Sequence, residues 1–203
     1  DTWKKFSNTF SILSFPDKNN QSQFVKAGIT IENIHGVFDT IATTNIYNFI
    51  ASGEYRNRTR NQIWELEAAG KLYINGFNSG DYQALASLKR QLGKKAGYLT
   101  LGFQNVNRSP SFILNSLSTF PLKNRTDYNK ENIIRLFVNY ENPRQSFRLS
   151  GEYLGISNYM YFDSFFTAKQ EATLFNVLHI AIEKKIKLAK YWTWYTEVHF
   201  QQT

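Results

Sequence analysis

Four stretches in which apolar and polar residues alternate lie between residues 45 and 106, and they decide the fold. Ile46–Arg56 reads IYNFIASGEYR, Trp64–Leu72 reads WELEAAGKL, Tyr82–Lys89 reads YQALASLK and Leu99–Gln104 reads LTLGFQ. Successive side chains of a strand point to opposite faces of a sheet. Each stretch therefore predicts a β-strand with one apolar face and one polar face.

The length of these runs indicates more than an ordinary sheet. The first two runs last 11 and 9 residues, and a tilted strand that crosses a bilayer has about 9–11. Strands of soluble proteins usually end after about 5–6 residues. Ile50 and Leu85 break the alternation, because both fall on the polar side of their runs.

The same pattern continues on both sides of this region. Further strands are predicted over residues 1–15, 23–34, 134–141, 147–153, 172–185 and 191–201. Ala168–Lys190 and Ser79–Gly93 also fit amphipathic helices, because their apolar residues recur at helical spacing. Their position between strands that are joined by short connections favours strands. The total is about ten, and all four prolines fall in connections, as a continuous sheet requires.

The predicted connections alternate in length from Arg56 onward. They run short, medium, short, long, short, long, short: 57–61, 75–80, 93–97, 107–131, 142–145, 155–171 and 186–190. Transmembrane barrels have short turns at one end and longer loops at the other. Loop asymmetry and strand length therefore both favour a membrane barrel.

Composition is compatible with this interpretation. Aromatic residues make up 16% of the chain, yet the mean hydropathy is −0.44, and no apolar run approaches the ~18 residues of a membrane helix. A barrel reconciles these values, because every second residue of its strands can be polar. The absence of cysteine excludes a disulfide framework and a thiolate metal site. The net charge of +8 indicates attraction to phosphates of lipid or nucleic acid.

Three stretches resemble the outer-membrane porins of Bacteroidota. They are Gly102–Asn115 (GFQNVNRSPSFILN), Asn158–Asp163 (NYMYFD) and Ala181–Gln201 (AIEKKIKLAKYWTWYTEVHFQ), and the resemblance covers residues 45–203. It implies a barrel of more than ten strands, of which this chain is a middle portion. The C-terminal Gln201-Gln202-Thr203, which lacks a terminal aromatic residue, favours the same interpretation.

The polar faces supply the candidate functional residues. If the sheet closes with these faces inward, they line a pore and tune permeation; the alternative is the solvated face of a soluble antiparallel sheet. The predicted pore-lining residues are Glu54, Arg56, Glu65, Glu67, Lys71, Lys89, Arg135, Arg148, Glu152 and Glu197.

Aromatic residues and basic turns suggest contacts with the membrane. Aromatic girdles at the two interfaces are predicted from Tyr47, Tyr55, Trp64, Tyr140, Tyr153, Trp192 and Trp194, with core packing as the alternative. Basic residues in the short turns are solvated or meet anionic headgroups: Arg58, Arg60, Lys94, Lys95, Arg144, Lys184, Lys185, Lys187 and Lys190. No nucleic-acid recognition motif accompanies them, so no nucleic-acid partner is expected.

Nothing in the sequence indicates an enzyme. His35, His179 and His199 are scattered without metal-ligand spacing, and no nucleophile elbow, phosphate loop or zinc motif occurs. We therefore predict no catalytic residue, no metal ligand and no cofactor.

These observations predict a single all-β domain over residues 1–203, an antiparallel up-and-down transmembrane β-barrel or a fragment of one. The predicted function is passive diffusion of small solutes across a Gram-negative outer membrane. The predicted partners are outer-membrane lipid and, through loops 107–131 and 155–171, other envelope proteins. Two alternatives stay open: a structural or docking barrel of a larger envelope complex, and a soluble β-barrel that binds an apolar ligand.

Overall fold

The computed structural model describes residues 2–38, 42–93, 95–115, 118–124 and 126–203, and almost all of its regular structure is strand. The strands are β1 (Thr2–Ser14), β2 (Phe24–Phe38), β3 (Ala42–Arg58), β4 (Trp64–Gly76), β5 (Tyr82–Gly93), β6 (Gly97–Arg108), β7 (Glu131–Asn142), β8 (Phe147–Ser157), β9 (Tyr159–Ser164), β10 (Thr167–Glu171), β11 (Phe175–Lys187) and β12 (Thr193–Gln202). One 3-10 helix, Phe112–Leu114, follows β6. Within the described ranges, no helix has the length and apolar character to span a membrane.

Ten of the strands form one antiparallel sheet in up-and-down order. The order is β1-β2-β3-β4-β5-β6-β7-β8-β11-β12, and β9 and β10 form a separate hairpin. The predicted all-β antiparallel sheet of about ten strands is confirmed. As far as the described residues go, β1 and β12 each pair with one neighbour only, so the sheet is open. Its closure into a barrel stays a prediction.

Several boundaries differ from those predicted. Ala168–Lys190 and Ser79–Gly93, which also fitted helices, contain β10–β11 and β5 instead. Hydrogen bonding to neighbouring strands on both sides overrides the helical spacing of their leucines. The connection predicted over 155–171 is wrong in part, because β8 continues to Ser157 and residues 159–171 form the β9–β10 hairpin.

The connections separate by length onto the two ends of the sheet. One end, the loop end, carries the end of β2, the start of β3, the short connection 77–81 and the long segments 109–130 and 158–174. The other, the turn end, carries 15–23, 59–63, 94–96, 143–146 and 188–192. The predicted alternation of short and long connections is therefore present. Residue Lys94, one of the basic turn residues, lies outside the described residues.

The register aligns apolar side chains into continuous rows across the sheet. One row runs directly from strand to strand between β4 and β12: Leu66, Leu88, Leu101, Val138, Gly151, Ile180 and Phe200. Five of these residues are exposed despite their size, namely Leu66, Leu88, Leu101, Val138 and Phe200; Leu101 has 49% of its surface accessible. The apolar face thus has no layer packed on it among the described residues, and it forms an extended exposed apolar surface.

The predicted aromatic girdle residues all lie on this apolar face or in the adjoining turns. Trp64, Tyr140, Trp192 and Trp194 are near the turn end, and Tyr47 is near the loop end. Tyr55 and Tyr153 lie in the row of Leu136, toward the ends of β3 and β8.

A close backbone approach at the turn end makes Gly97 irreplaceable. Gly97 has φ +79°, which side-chain-bearing residues rarely adopt, and an added Cβ would overlap the carbonyl oxygen of Glu141 on β7. Gly53, by contrast, has ordinary φ, and an added Cβ would lie 3.9 Å from the Lys26 carbonyl oxygen.

We expect Gly97→Ala to lower the free energy of unfolding by about 1–3 kcal/mol, because it adds backbone strain and a steric overlap. Gly53→Ala is the matched control and should stay within about 0.5 kcal/mol of the parent. Urea unfolding of the detergent-solubilised protein measures both. Equal stability of the two variants would contradict the close approach at Gly97.

Candidate functional site

The ten predicted pore-lining residues all lie on one face of the sheet, opposite the apolar rows. Arg56, Glu67 and Glu152 belong to one cross-strand row, Glu54 and Arg135 to the next, and Glu65 and Lys89 face each other directly. Lys71 lies in a further row, and Arg148 and Glu197 both face Glu183. We call this surface the polar face. Whether it lines a pore stays a prediction.

Charges on the polar face are largely paired with each other. Arg56 and Glu67 approach to 2.6 Å, and Arg135 forms two hydrogen bonds, of 2.8 and 3.0 Å, with the two carboxylate oxygens of Glu152. Such two-point guanidinium–carboxylate contacts fix both side chains in direction. These groups are partly exposed, so the pairs set geometry more than they stabilise the fold.

Residue Arg148 sits between two carboxylates that the sequence did not single out. Its guanidinium lies 3.4 Å from Glu183 and 3.8 Å from Glu141. Glu183 also accepts a hydrogen bond of 3.1 Å from the Tyr195 hydroxyl. Glu141 and Glu183 could have been found from register, because they lie directly opposite Arg148 on the neighbouring strands.

The polar face is concave where β2 to β5 run side by side. A cavity of about 310 Å³ lies over it, lined by residues of all four strands, among them Lys26, Glu54, Lys71 and Leu85. The backbone of Gly53 and Gly70 also lines the cavity, although these two residues belong to the apolar parity of their strands. Leu85, which broke the alternation in the sequence, thus contributes an apolar part of the floor.

An apolar row interrupts the polar face close to the loop end. Val106, Ile133, Ile156 and Phe175 lie directly opposite one another on β6, β7, β8 and β11. The sequence interpretation missed this row, because it assigned one character to each whole strand. Two consecutive apolar residues, as in Ile133–Ile134, were the signal that a strand is apolar on both faces at that point.

A second apolar feature of the polar face lies at mid-strand, where Phe137 covers Gly102. The two residues face each other on β7 and β6, and an added Cβ on Gly102 would overlap the Phe137 ring. The Arg135 guanidinium carbon lies 4.9 Å from the centre of the same ring. The glycine therefore allows an aromatic ring to lie flat against the wall beneath an arginine.

Buried Asp81 anchors the long loop 109–130 at both of its ends. One of its carboxylate oxygens accepts hydrogen bonds from the Ser109 amide (2.9 Å), the Ser109 hydroxyl (2.7 Å) and the Lys130 ammonium group (2.7 Å). Its other oxygen accepts from Asn78, which is bonded in turn to Asn48, a residue only 1% exposed. A single carboxylate thus joins the start and the end of the loop to the neighbouring turn.

Side-chain amides tie this loop to the β9–β10 hairpin. Asn124 donates a hydrogen bond to the Ala168 carbonyl oxygen (2.5 Å) and accepts one from the Ala168 amide (3.0 Å). Gln170 does the same with the backbone of Asn129, at 2.7 and 2.9 Å. Each side-chain amide therefore makes the same pair of hydrogen bonds that a backbone peptide group makes in a neighbouring strand. Ala168 is only 1% exposed. We call the docked pair, residues 109–130 and 158–174, the cover.

Aromatic contacts extend the cover toward the opposite part of the sheet. Phe112 packs against Trp3 on β1, with ring centres 4.9 Å apart, and lies 5.9 Å from the Phe77 ring centre. Trp3 and Lys5 share a face of β1, and the Lys5 ammonium group pairs with Glu32 of the neighbouring strand at 2.6 Å. The loop that follows β6 thus reaches β1, five strands away in the sheet.

Charges on the hairpin itself are held by local partners. The Asp163 carboxylate, 2.9 Å from Lys169, accepts its hydrogen bond and raises the pKa of Lys169 above its usual value. Hydrogen bonds from the hydroxyl and amide of Thr173 lower the pKa of Glu171. Both groups therefore stay ionised on either side of neutral pH.

Two of the three histidines, predicted to be scattered, come together on the polar face. His179 and His199 have ring nitrogens 3.0 Å apart, and the other ring nitrogen of His199 lies 2.7 Å from Glu197. Diagonal positions on β11 and β12 bring them together, which sequence spacing alone did not indicate. Within the described ranges, no three His, Asp or Glu residues are placed to hold a metal ion.

Fold and site together define an antiparallel sheet protein with an exposed apolar face, a charged concave face and a two-loop cover at one end. Residues 1–203 match the family model described as "Putative porin", so the chain belongs to that family. No curated protein and no solved structure matches the chain.

We expect Asn124→Ala to loosen the cover without unfolding the sheet, because it removes both hydrogen bonds to Ala168. Loss of about 1–2 kcal/mol of local stability should speed hydrogen exchange of the Ala168 amide about 5- to 30-fold. Asn61→Ala, at the turn end, is the control and should leave that exchange unchanged. Unaltered exchange in Asn124→Ala would show that the amide does not hold the hairpin.

Proposed function

We propose that this chain forms wall and mouth of an outer-membrane β-barrel pore through which small, uncharged polar solutes diffuse. The observation that carries the proposal is the separation of faces: the same strands present a continuous exposed apolar row on one side and ten charged residues on the other. In water, an exposed apolar surface of this extent favours aggregation, whereas in a membrane lipid would cover it. Membership of the porin family supports the same direction.

Barrel closure would supply hydrogen-bond partners to the unpaired backbone groups at the two open edges of the sheet. In hydrocarbon each unpaired backbone group costs several kcal/mol, so β1 and β12 need further strands on their outer sides. Both strands are exposed along their whole length. Additional strands, as the family resemblance implied, would complete the wall.

The balance of charge on the polar face points to uncharged solutes. Five of the ten residues are cations and five are anions, and opposite charges face each other in several rows. A balanced wall creates no strong field of either sign along the pore. The chain's net charge of +8 therefore arises elsewhere, much of it in the turns at the turn end, where it would face anionic headgroups.

Two alternatives make different use of the same features. A docking barrel of an envelope complex is favoured by the cover, which ties two long loops together at the mouth. A soluble barrel with an apolar ligand inside would place its large apolar residues inward. The exposure of Leu101 and of Leu136, at 49% and 48%, weighs against that arrangement.

The membrane orientation is tested by Leu136→Arg. Arginine near the middle of a bilayer costs about 2–4 kcal/mol on the lipid-facing side of a strand. We expect that loss in folding into lipid vesicles, whereas Asn139→Arg, on the polar face of the same strand, should fold nearly as well as the parent. A larger cost for Asn139→Arg would reverse the assignment of the faces.

Pore function is tested by charge reversal at two adjacent residues of β5. Lys89 lies on the polar face, and Arg90 points the other way, over the Trp64 ring at 4.7 Å. In planar bilayers we expect the full-length protein to conduct with little preference between K⁺ and Cl⁻. Lys89→Glu should raise the K⁺ preference about two- to threefold, and Arg90→Glu should not change it.

The outcomes separate the candidate functions. An equal shift in both variants would contradict the orientation of β5. If neither the parent nor a variant with a shortened loop 109–130 conducts, the pore function is contradicted and the docking barrel is favoured.

A further inference from the structure

A cavity of about 490 Å³ lies inside the cover, between the long loop and the β9–β10 hairpin. Its lining is largely apolar and aromatic, and it includes Ile113, Leu114, Tyr159, Tyr161 and Phe162. Ligand sites of proteins usually occupy 300–1,000 Å³ and combine apolar walls with a few polar groups. This cavity has those proportions and lies next to the polar face.

Aromatic rings continue from the sheet onto the hairpin. The ring of Phe175, in the apolar row of the polar face, is nearly parallel to that of Tyr159, at 20° and 5.6 Å between centres. Tyr159 and Tyr161 are also nearly parallel, at 12° and 6.4 Å. Tyr159 and Tyr161 remain 39% and 37% exposed, so ring surface is left for a ligand.

The polar group of this cavity is an almost fully buried carboxylate. The Glu131 side chain is 9% exposed, and both Arg108 nitrogens that contact it, each at 2.6 Å, meet the same oxygen, Oε2. Over the part of the chain that the structure describes, Oε1 has no hydrogen-bond donor. This oxygen is not fully buried, so a ligand in the same cavity can reach it and supply the donor.

We propose that this cavity binds the ring of a neutral saccharide, a proposal that rests on the pore function above. The C–H face of the sugar lies against Tyr159 and Tyr161, and one hydroxyl donates to Glu131 Oε1. Arg108 cancels the charge of Glu131, so the site offers hydrogen bonding without net attraction for an ion. The neutral pair likewise gives a cationic ligand no net attraction to the site.

Saccharide binding at the mouth would raise the local concentration of a solute just above the wall. The site stands at the point where the cover meets the polar face, since Arg108 and Glu131 are the strand ends on either side of the long loop. The substrate class of the pore would then include sugars small enough to pass the cover.

Binding is tested on the detergent-solubilised protein by saturation-transfer NMR with maltotriose as the probe. We expect saturable binding, with the strongest transfer to the C–H protons of one ring face. Tyr159→Ala should weaken binding about five- to tenfold, as expected for one lost aromatic contact. Tyr159→Phe retains the ring and should stay within about twofold of the parent.

Controls separate this site from general effects. Tyr47→Ala removes an exposed tyrosine from the apolar face and should leave binding unchanged. Sorbitol, which has hydroxyls but no ring face, and choline, a cation, should bind more weakly than maltotriose. The proposal is overturned if maltotriose does not saturate, if Tyr159→Ala binds like the parent, or if choline binds better.

The two proposals can fail separately. Saccharide binding by a protein that does not conduct would support the binding site and contradict the pore function. Conductance without saccharide binding would contradict only the binding site.

Discussion

Every feature of this chain depends on an uninterrupted antiparallel ladder of backbone hydrogen bonds. Each of the ten strands of the large sheet pairs with its neighbours in continuous register, apart from bulges in β4 and at the end of β5. Such pairing fixes which side chains share a face, because a shift by one residue would move every side chain to the other side. The separation of apolar rows from the polar face is therefore set by the register of the strands. The overall amino-acid composition does not determine it.

The cover depends on the ladder in a different way. Its loops are not continuous with the sheet's hydrogen bonds, and they are positioned by Asp81, Asn124 and Gln170, whose side chains replace backbone partners. Polar side chains can do this because a short amide or carboxylate offers the same donors and acceptors as a peptide group. The aromatic lining then fills the space that these bonds define. Loops held in this way form an ordered surface, and an ordered site loses less entropy when it captures a ligand.

Sequence patterning predicted the sheet well and the cover poorly, for one physical reason. Alternation is local, so the runs around Leu66, Leu101 and Leu136 indicated their faces without knowledge of the neighbours. The contact of Phe112 with Trp3, or of Asn124 with Ala168, joins residues far apart in the chain, and no local pattern encodes it. Glu131 illustrates the boundary between the two. The sequence placed Glu131 in the connection 107–131, whereas β7 begins at this residue and its carboxylate pairs with Arg108 at the end of β6.

The side-chain amides that hold the cover have a consequence for the order of folding. Hairpins such as β5–β6 join residues that are near in the chain and can form early, because closing a short loop costs little entropy. Asn124 and Ala168, by contrast, meet only after β7 and β8 have brought the two loops to the same end. The cover therefore closes last. Late hydrogen-exchange protection of Ala168, after the strands are already protected, would reveal this order.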